Sequence, residues 1–438
     1  MTNQIKRQEE ILNKLNISEL NAMQKEAHSS ISKNANTILL SPTGTGKTLA
    51  FSLPLLDKLD IECADIQVLI LVPSRELAIQ IEQVIRSMGS GYKVNAVYGG
   101  RSISKDKIEL KHLPAILIGT PGRIADHFDN NRFLRNNIHT LILDEFDKSL
   151  EVGFEHEMKY IISKLPALNN RILTSATQGI SIPNFVGLQN PNIINYLNVS
   201  ASKLTLKTVI SPDKNKLDTL LQLLNYIGNQ QGIIFCNLKN SIQSVSAFLE
   251  SKNIRHSCFN GGMEQKDRER SLIKFRNGTN PLLIATDLAA RGIDVPEMKN
   301  IIHYELPLFK EEFIHRNGRT ARVSEEGIAY IIKWKDESLP EFIQNSEMKD
   351  VTLLPNAKKK IMNWETLFIS GGRKDKISKG DIAGLFFKQG NITKDQLGLI
   401  ELKQDCAFVA IPANIAASLV SKLNNTRLKK KKVRITII

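Results

Sequence analysis

Between residues 35 and 180, short apolar runs alternate with stretches of helical period, at Thr37–Leu40, Val68–Val72, Ala115–Ile118, Thr140–Leu143 and Arg171–Leu173. Runs this short and this continuously apolar read as strands buried on both faces, and a parallel sheet covered by helices is the structure that buries them so. The pattern predicts a doubly wound α/β domain. A second series, Gly232–Phe235, Leu282–Ala285, Asn300–His303 and Ile328–Ile332, repeats it beyond residue 205. Two open sheets in tandem are therefore expected, over residues 1–203 and 204–350.

The rhythm then changes. Residues 351–364, with Pro355 and the run Lys358-Lys359-Lys360, read as a linker. From 365 to 438 the expected elements are strands at Thr366–Ser370, Gly398–Leu402, Cys406–Ile411 and Val433–Ile438, interleaved with helices at Gly380–Phe387 and Ala413–Leu423. That order predicts a small α+β domain of split βαβ type. Charge marks the same boundary. The 438-residue chain carries +14, and Gly371–Ile438 alone holds fourteen Lys and Arg against five Asp and Glu. A strongly basic end on a nearly balanced body points to a polyanion-binding appendage.

Other classes are excluded. No apolar run approaches the roughly 20 residues that span a bilayer. Met1–Glu10 lacks the apolar core of a secretory signal. The four cysteines, Cys63, Cys236, Cys258 and Cys406, have no CxxC or zinc-like spacing, as expected of reduced thiols in a cytoplasmic protein.

Ser41-Pro42-Thr43-Gly44-Thr45-Gly46-Lys47-Thr48 follows one expected strand and opens a helix, the setting a phosphate-binding loop requires. Gly44 and Gly46 let backbone N–H groups close on phosphate, Lys47 can reach the β and γ phosphates, and the Thr48 hydroxyl can ligate Mg²⁺. At the tip of a later strand stands Asp144-Glu145-Phe146-Asp147. Asp144 suits the metal shell, and Glu145 suits orientation and deprotonation of an attacking water. The segment His315–Arg322 contains Arg319 and Arg322, which at i, i+3 would share one helix face and aim two guanidinium groups at one phosphate. Phe146 is expected to pack inward.

These motifs, in this order, resemble the DEAD-box RNA helicases of superfamily two. The likeness extends to Pro73-Ser74-Arg75-Glu76-Leu77-Ala78, Gly99-Gly100, Thr120-Pro121-Gly122-Arg123, Ser175-Ala176-Thr177, Gln265 with Arg268, Thr286-Asp287 and Ala290-Arg291-Gly292-Ile293-Asp294. The resemblance implies two RecA-like domains that bind ATP and Mg²⁺. It implies that Ser41, Thr43, Gly44, Thr45, Gly46, Lys47 and Thr48 hold the nucleotide, with Gln24 reading adenine and Asp294 meeting the ribose. By the same likeness Asp147, Ser175, Thr177 and His315 couple nucleotide state to domain closure. RNA would lie along Pro73, Arg75, Gly100, Thr120, Gly122 and Arg123 on the first domain, and along Gln265, Arg268, Thr286 and Asp287 on the second. Two departures stand out: Phe146 replaces the family alanine, and Arg7 stands where the family has an aromatic residue before the glutamine.

The basic end is similar to the RNA-binding domain of DbpA-type helicases, through Ile369–Lys374, Ile377–Asp381, Asp395–Ile400, Phe408–Ile411 and Leu428–Ile435. The likeness implies an RRM-like domain, yet Cys406 stands where a base-stacking ring is usual. Arg373, Lys374, Lys376, Arg427, Lys429, Lys430, Lys431, Lys432 and Arg434 are therefore expected to grip folded RNA by backbone and shape. The implied activity is an ATP-dependent RNA helicase, acting as a monomer on structured large-subunit ribosomal RNA in ribosome assembly. The rivals are a general cold-shock-type helicase, whose relatives continue beyond this domain where this chain stops at Ile438, a DNA-directed motor, and an ATP-gated RNA clamp without turnover.

Overall fold

The computed structural model describes residues 7–151, 153–178, 181–197, 204–228, 230–287, 298–320, 327–344, 347–353 and 363–438. It forms two compact units, one built on the chain up to Lys203 and one on the chain from Leu204 onward.

In the first unit, β1 (Asn36–Leu40), β2 (Val68–Leu71), β3 (Val94–Val97), β4 (Ile116–Gly119), β5 (Thr140–Leu143), β6 (Asn170–Ser175) and β7 (Asn192–Asn195) make one parallel sheet. The order is β3-β4-β2-β5-β6-β1-β7. Side-chain alternation divides the apolar runs between two cores. Val68, Ile70 and Val72 join a cluster with the helices Ala22–Lys33, Lys47–Leu56 and Arg75–Met88. Leu69 and Leu71 join another with Pro121–Asp129 and Glu155–Ser163. With both faces covered by helices, the strand ends are left as the place where an open α/β sheet binds ligands.

The second unit repeats the plan with β8 (Leu204–Ser211), β9 (Gly232–Phe235), β10 (His256–Phe259), β11 (Leu282–Ala285), β12 (Asn300–His303), β13 (Gly327–Trp334) and β14 (Met348–Asp350), in the parallel order β10-β11-β9-β12-β13-β8-β14. It also carries the small domain. There β15 (Trp364–Ile369), β16 (Ile400–Leu402), β17 (Ala407–Pro412) and the last strand form an antiparallel sheet, and a two-residue-per-strand hairpin, β18 (Arg427–Leu428) and β19 (Lys431–Lys432), precedes that last strand, β20 (Ile435–Ile437). The sheet order is β16-β17-β15-β20. The helix Ala413–Leu423 matches the sequence expectation, whereas the expected helix Gly380–Phe387 is Lys379–Gly384 followed by a π-turn over Leu385–Gln389. Leu367, Ile369, Val409, Ile411 and Ile435 bury one face of the sheet against these helices. The four cysteines are free thiols, and among the described residues no helix is long and apolar enough to cross a membrane.

His303 closes β12 inside the second unit, its ring 6.3 Å from Phe235 and 5.1 Å from Phe313, with Nε2 3.0 Å from Asn317 Oδ1. Burial, reinforced by the Arg316 charge, pushes its pKa down to about 3. The folded domain therefore holds a neutral imidazole that the unfolded chain protonates below its ordinary value of 6.5. The stability this contributes is complete above that pH and is lost as pH falls toward the folded value, at about 1.4 kcal/mol per unit. Urea unfolding of wild type should lose about 2 kcal/mol by this route between pH 6.5 and 5. His303→Gln should flatten that acid limb, and an unchanged slope would refute the assignment.

Candidate active site and nucleic-acid interface

The tips of β5, β6 and β1 lie side by side and carry the acidic motif, Ser175-Ala176-Thr177 and the glycine-rich loop respectively. The loop is tied to its neighbour where Ser41 N–H donates to the Ser175 carbonyl at 3.1 Å. Gly44 and Gly46 have φ of 85° and 87°, a left-handed conformation that a side chain would strain. A Cβ on Gly46 would also clash with Gln24 Nε2. Gln24 completes a capping box with Asn21 at the start of its helix, and both reach the loop: Gln24 Nε2 donates to the Gly46 carbonyl at 3.4 Å and Asn21 Nδ2 to the Thr45 carbonyl at 3.2 Å. The expected adenine reader is thus physically part of the phosphate loop. Ser41 and Thr45 hydroxyls sit 2.7 Å apart, and Lys47, almost fully buried, donates to the carbonyls of Ser41 at 2.5 Å and Pro42 at 3.0 Å. Thr48 follows in the first turn of the helix.

Asp144 is buried, and its Oδ1 accepts from the Thr174 hydroxyl and from the Glu145 N–H at 3.1 Å. Desolvation by burial pushes its carboxyl above the ordinary range, against the opposing pull of Thr174 and Lys47. Glu145 has a φ of 48°, a left-handed backbone that for a non-glycine residue costs on the order of 1–3 kcal/mol. That turn lifts Glu145 out of the strand direction while Phe146 drops into the core at 2% exposure, among the apolar residues of the second cluster. Asp147 then receives the Thr177 hydroxyl at 2.9 Å, and the Ser175 hydroxyl donates to the Thr177 carbonyl at 2.8 Å. The acidic motif and the β6 tip form one hydrogen-bonded unit. The Asp144 carboxylate and the Thr48 hydroxyl are hard oxygen donors of the type Mg²⁺ takes. A cation there would also offset the desolvation that holds Asp144 toward its neutral form, so the residues fit the metal.

A basic edge lies on the same unit. Ser74 caps the helix that Arg75 opens, accepting from Leu77 N–H at 3.2 Å. The Arg75 guanidinium lies over Gly99-Gly100, where a Cβ on Gly100, whose φ is 81°, would collide with it. Thr120 and Pro121 start the helix that carries Gly122 and Arg123, and a Cβ on Gly122 would face open space. Sequence reasoning missed the residue that orders this edge. Asp106, fully buried, pairs with Arg101 at 3.2 Å, with Arg123 at 3.0 Å and with His127 at 3.2 Å.

In the second unit Arg268 is mostly buried, its guanidinium 4.6 Å over the Phe259 ring, and Gln265 bonds Glu269 at 3.4 Å, one turn along the same helix. Asp287 is engaged by Arg316 in a two-pronged pair at 2.7 and 2.5 Å. Arg316 is fully buried and also donates to the Glu305 carbonyl at 2.6 Å and Asn237 Oδ1 at 2.7 Å. This network, absent from the sequence expectation, fixes the strand tips of β9, β11 and β12. The helix Lys310–Asn317 stops before Arg319, which lies buried in the following turn rather than on the expected helix face. Gly318 ends it. His315 is buried on that helix, and Thr286 sits between β11 and Asp287. Arg322 and Asp294 lie outside the described residues.

On the small domain Arg373, Lys374, Lys376, Lys429, Lys430 and Lys432 are exposed. Lys429 pairs with Asp381 at 2.8 Å and Lys431 with Asp375 at 2.7 Å. These bonds hold the Asp381 carboxyl down to about 2 and that of Asp375 below its usual range.

Residues 21–184 match the family model "DEAD/DEAH box helicase", residues 215–324 "Helicase conserved C-terminal domain" and residues 366–437 "DbpA RNA binding domain". The chain is 30% identical to the ATP-dependent RNA helicase DbpA of Bacillus subtilis, over 91% of this chain and 90% of that protein. It is 30% identical to DbpA of Escherichia coli over 98% and 96%. Among solved structures it is similar to S. cerevisiae Dbp5 bound to RNA and ADP BeF3, with a TM-score of 0.69 and 26% identity over 79% of this chain and 94% of that one.

Phe146→Ala should remove a buried ring and cost about 3–5 kcal/mol of unfolding free energy in the first unit. A tenfold rise in RNA-stimulated ATPase instead would make Phe146 a brake on turnover.

Proposed function

The chain belongs to the DEAD-box ATP-dependent RNA helicases of DbpA type, and from that premise we propose that it separates short RNA duplexes locally while its C-terminal domain holds it on structured large-subunit ribosomal RNA during ribosome assembly. The observation that carries the catalytic half is the hydrogen-bonded unit of Asp144, Glu145, Asp147, Ser175 and Thr177 beside the Lys47 loop. Lys47 exchanges its carbonyl partners for the β and γ phosphates, and Gly44 and Gly46 let the loop N–H groups follow. Gln24, already bonded to the loop, reads adenine, and Asp294 meets the ribose. Thr48 and Asp144 would hold Mg²⁺, which supplies charge neutralisation on the β and γ oxygens. Glu145 orients the attacking water and takes its proton.

Arg319 and Arg322 stabilise charge on the transferring phosphoryl group, an effect worth up to ~10³–10⁵ in rate. Asp147, Thr177 and Ser175 link the acidic motif to the β6 tip, so a change at the γ phosphate is felt there, with His315 as the corresponding group of the second domain. RNA lies along Pro73, Arg75, Gly100, Thr120, Gly122 and Arg123, and along Gln265, Arg268, Thr286 and Asp287. The open space beside Gly122 supports close approach of a phosphate backbone at that position. Closure on one strand bends it out of pairing geometry, and the partner strand leaves. Release of phosphate reopens the enzyme, in the cytoplasm and as a monomer.

Glu145→Gln and Lys47→Ala should each abolish RNA-stimulated phosphate release while the C-terminal domain still binds RNA. Phosphate release at one constant rate with any transcript, or with none, would overturn the RNA-gated reading.

The tether has its own test. Replacing the exposed Lys374, Lys376, Lys430 and Lys432 with Gln should lower the log–log salt slope of binding to large-subunit ribosomal RNA by about 0.7–0.9 for each phosphate no longer neutralised. Preference over unrelated RNA should fall with it. An unchanged slope and preference would place the RNA elsewhere.

A further inference from the structure

The small sheet has one face on its helices and another directed away from them. By alternation the second face carries Thr366 and Phe368 on β15, Phe408 and Ala410 on β17, Glu401 on β16 and Thr436 on β20. The register aligns Glu401, Phe408, Phe368 and Thr436 in a row across the sheet. This is the face on which RRM-like domains stack bases. Phe368 and Phe408 do stand there as an edge-to-face pair with centroids 5.7 Å apart.

Part of that face is already taken by the end of the helix Gln265–Arg276 and the turn after it. Arg276 donates to both carboxylate oxygens of Glu401, at 2.6 and 2.7 Å, with both side chains about five-sixths buried. Thr366 is fully buried, its hydroxyl 3.1 Å from Asn277 Nδ2 and 2.7 Å from the Thr279 hydroxyl. Gly278, at a φ of 74°, brings the turn against the Trp364 ring, which a Cβ there would meet at 3.5 Å. Arg255 pairs with Glu365 at 2.9 Å on the rim. A two-pronged, largely buried Arg–carboxylate pair and a buried hydroxyl cluster are directional contacts that specify one orientation.

We propose that this sheet face is an intramolecular docking surface for the second helicase domain, closed to stacked bases, and that it fixes the C-terminal domain to the end of the helix Gln265–Arg276. RNA is then left the loop edge at the far end of β15, where Arg373, Lys374 and Lys376 stand beside the β18–β19 hairpin. This last step rests on the RNA-binding reading above, whereas the docking itself does not.

The Thr279 and Thr366 hydroxyls are close enough for a staple. In the full chain, Thr279→Cys combined with Thr366→Cys should cross-link almost completely on mild oxidation, with the linked peptides identified by mass spectrometry and the bond reversed by reductant. The oxidised form should bind a full-length large-subunit ribosomal RNA transcript within fivefold of the reduced form. Absence of the cross-link would overturn the dock, and an affinity loss beyond fivefold on oxidation would return the sheet face to RNA. If the reduced form shows no preference for that transcript over unrelated RNA, the tether fails while the cross-link still decides the dock. As a check independent of cysteine, Arg276→Glu and Glu401→Arg should each split the thermal unfolding of the second unit into two transitions. Their combination should restore one, and failure to restore it would also count against the dock.

Discussion

A carboxylate in the interior of an apolar sheet is costly unless neighbouring groups hold it, and the candidate site of the first unit is arranged around such a group. Asp144 ends a strand whose four residues are all buried, so water reaches it poorly and its charged form is disfavoured. Three features answer that cost: the Thr174 hydroxyl, the Glu145 N–H and the nearby Lys47 charge. Thr174 and Lys47 come from another strand and from the loop-bearing helix, so the acid is linked to both. Burial thus makes the site sensitive to any added cation or phosphate, because in a low-dielectric setting such charges act strongly on their neighbours.

Much of this was readable in the chain because each motif of the site is itself a short contiguous run. The glycine loop, the acidic motif and Ser175–Thr177 are local words placed at strand tips, and the central strands are continuous apolar runs. In the two large sheets the strands that sequence reading passed over, β3, β7, β10 and β14, are the edges, and β8 lies next to one. Edge positions tolerate Asn95, Asn192, His256 and Lys349, which interrupt the apolar pattern. Thr174 had a faint signal, a polar side chain in a buried strand. Asp106 had none: it sits in a short, mostly exposed helix, and only the fold brings Arg101, Arg123 and His127 around it.

The arginine motif shows a different limit. Spacing of i, i+3 implies a shared face only while the helix continues, and this helix ends at Gly318. The sequence drew attention to Arg319 and Arg322, yet the geometry also gives a structural role to Arg316, which satisfies Asp287, Asn237 and the Glu305 carbonyl at once. A buried guanidinium with this many acceptors cannot be removed without leaving several polar groups unpaired, so Arg316 fixes the strand tips that carry the neighbouring motifs.

The helix Gln265–Arg276 links two functions that stand far apart in the sequence. Gln265 and Arg268, the proposed RNA contacts, occupy its first turn, and Arg276 at its last residue holds Glu401, 125 residues away. Twelve helical residues span roughly 18 Å as a stiff rod. A domain on a flexible linker would only raise the local concentration of nearby RNA. A docked domain would also fix direction: RNA gripped at the loop edge would stand in a set orientation to Gln265 and Arg268. Orientation removes much of the search that flexible attachment leaves, and it does so without the gripped RNA ever touching the catalytic residues.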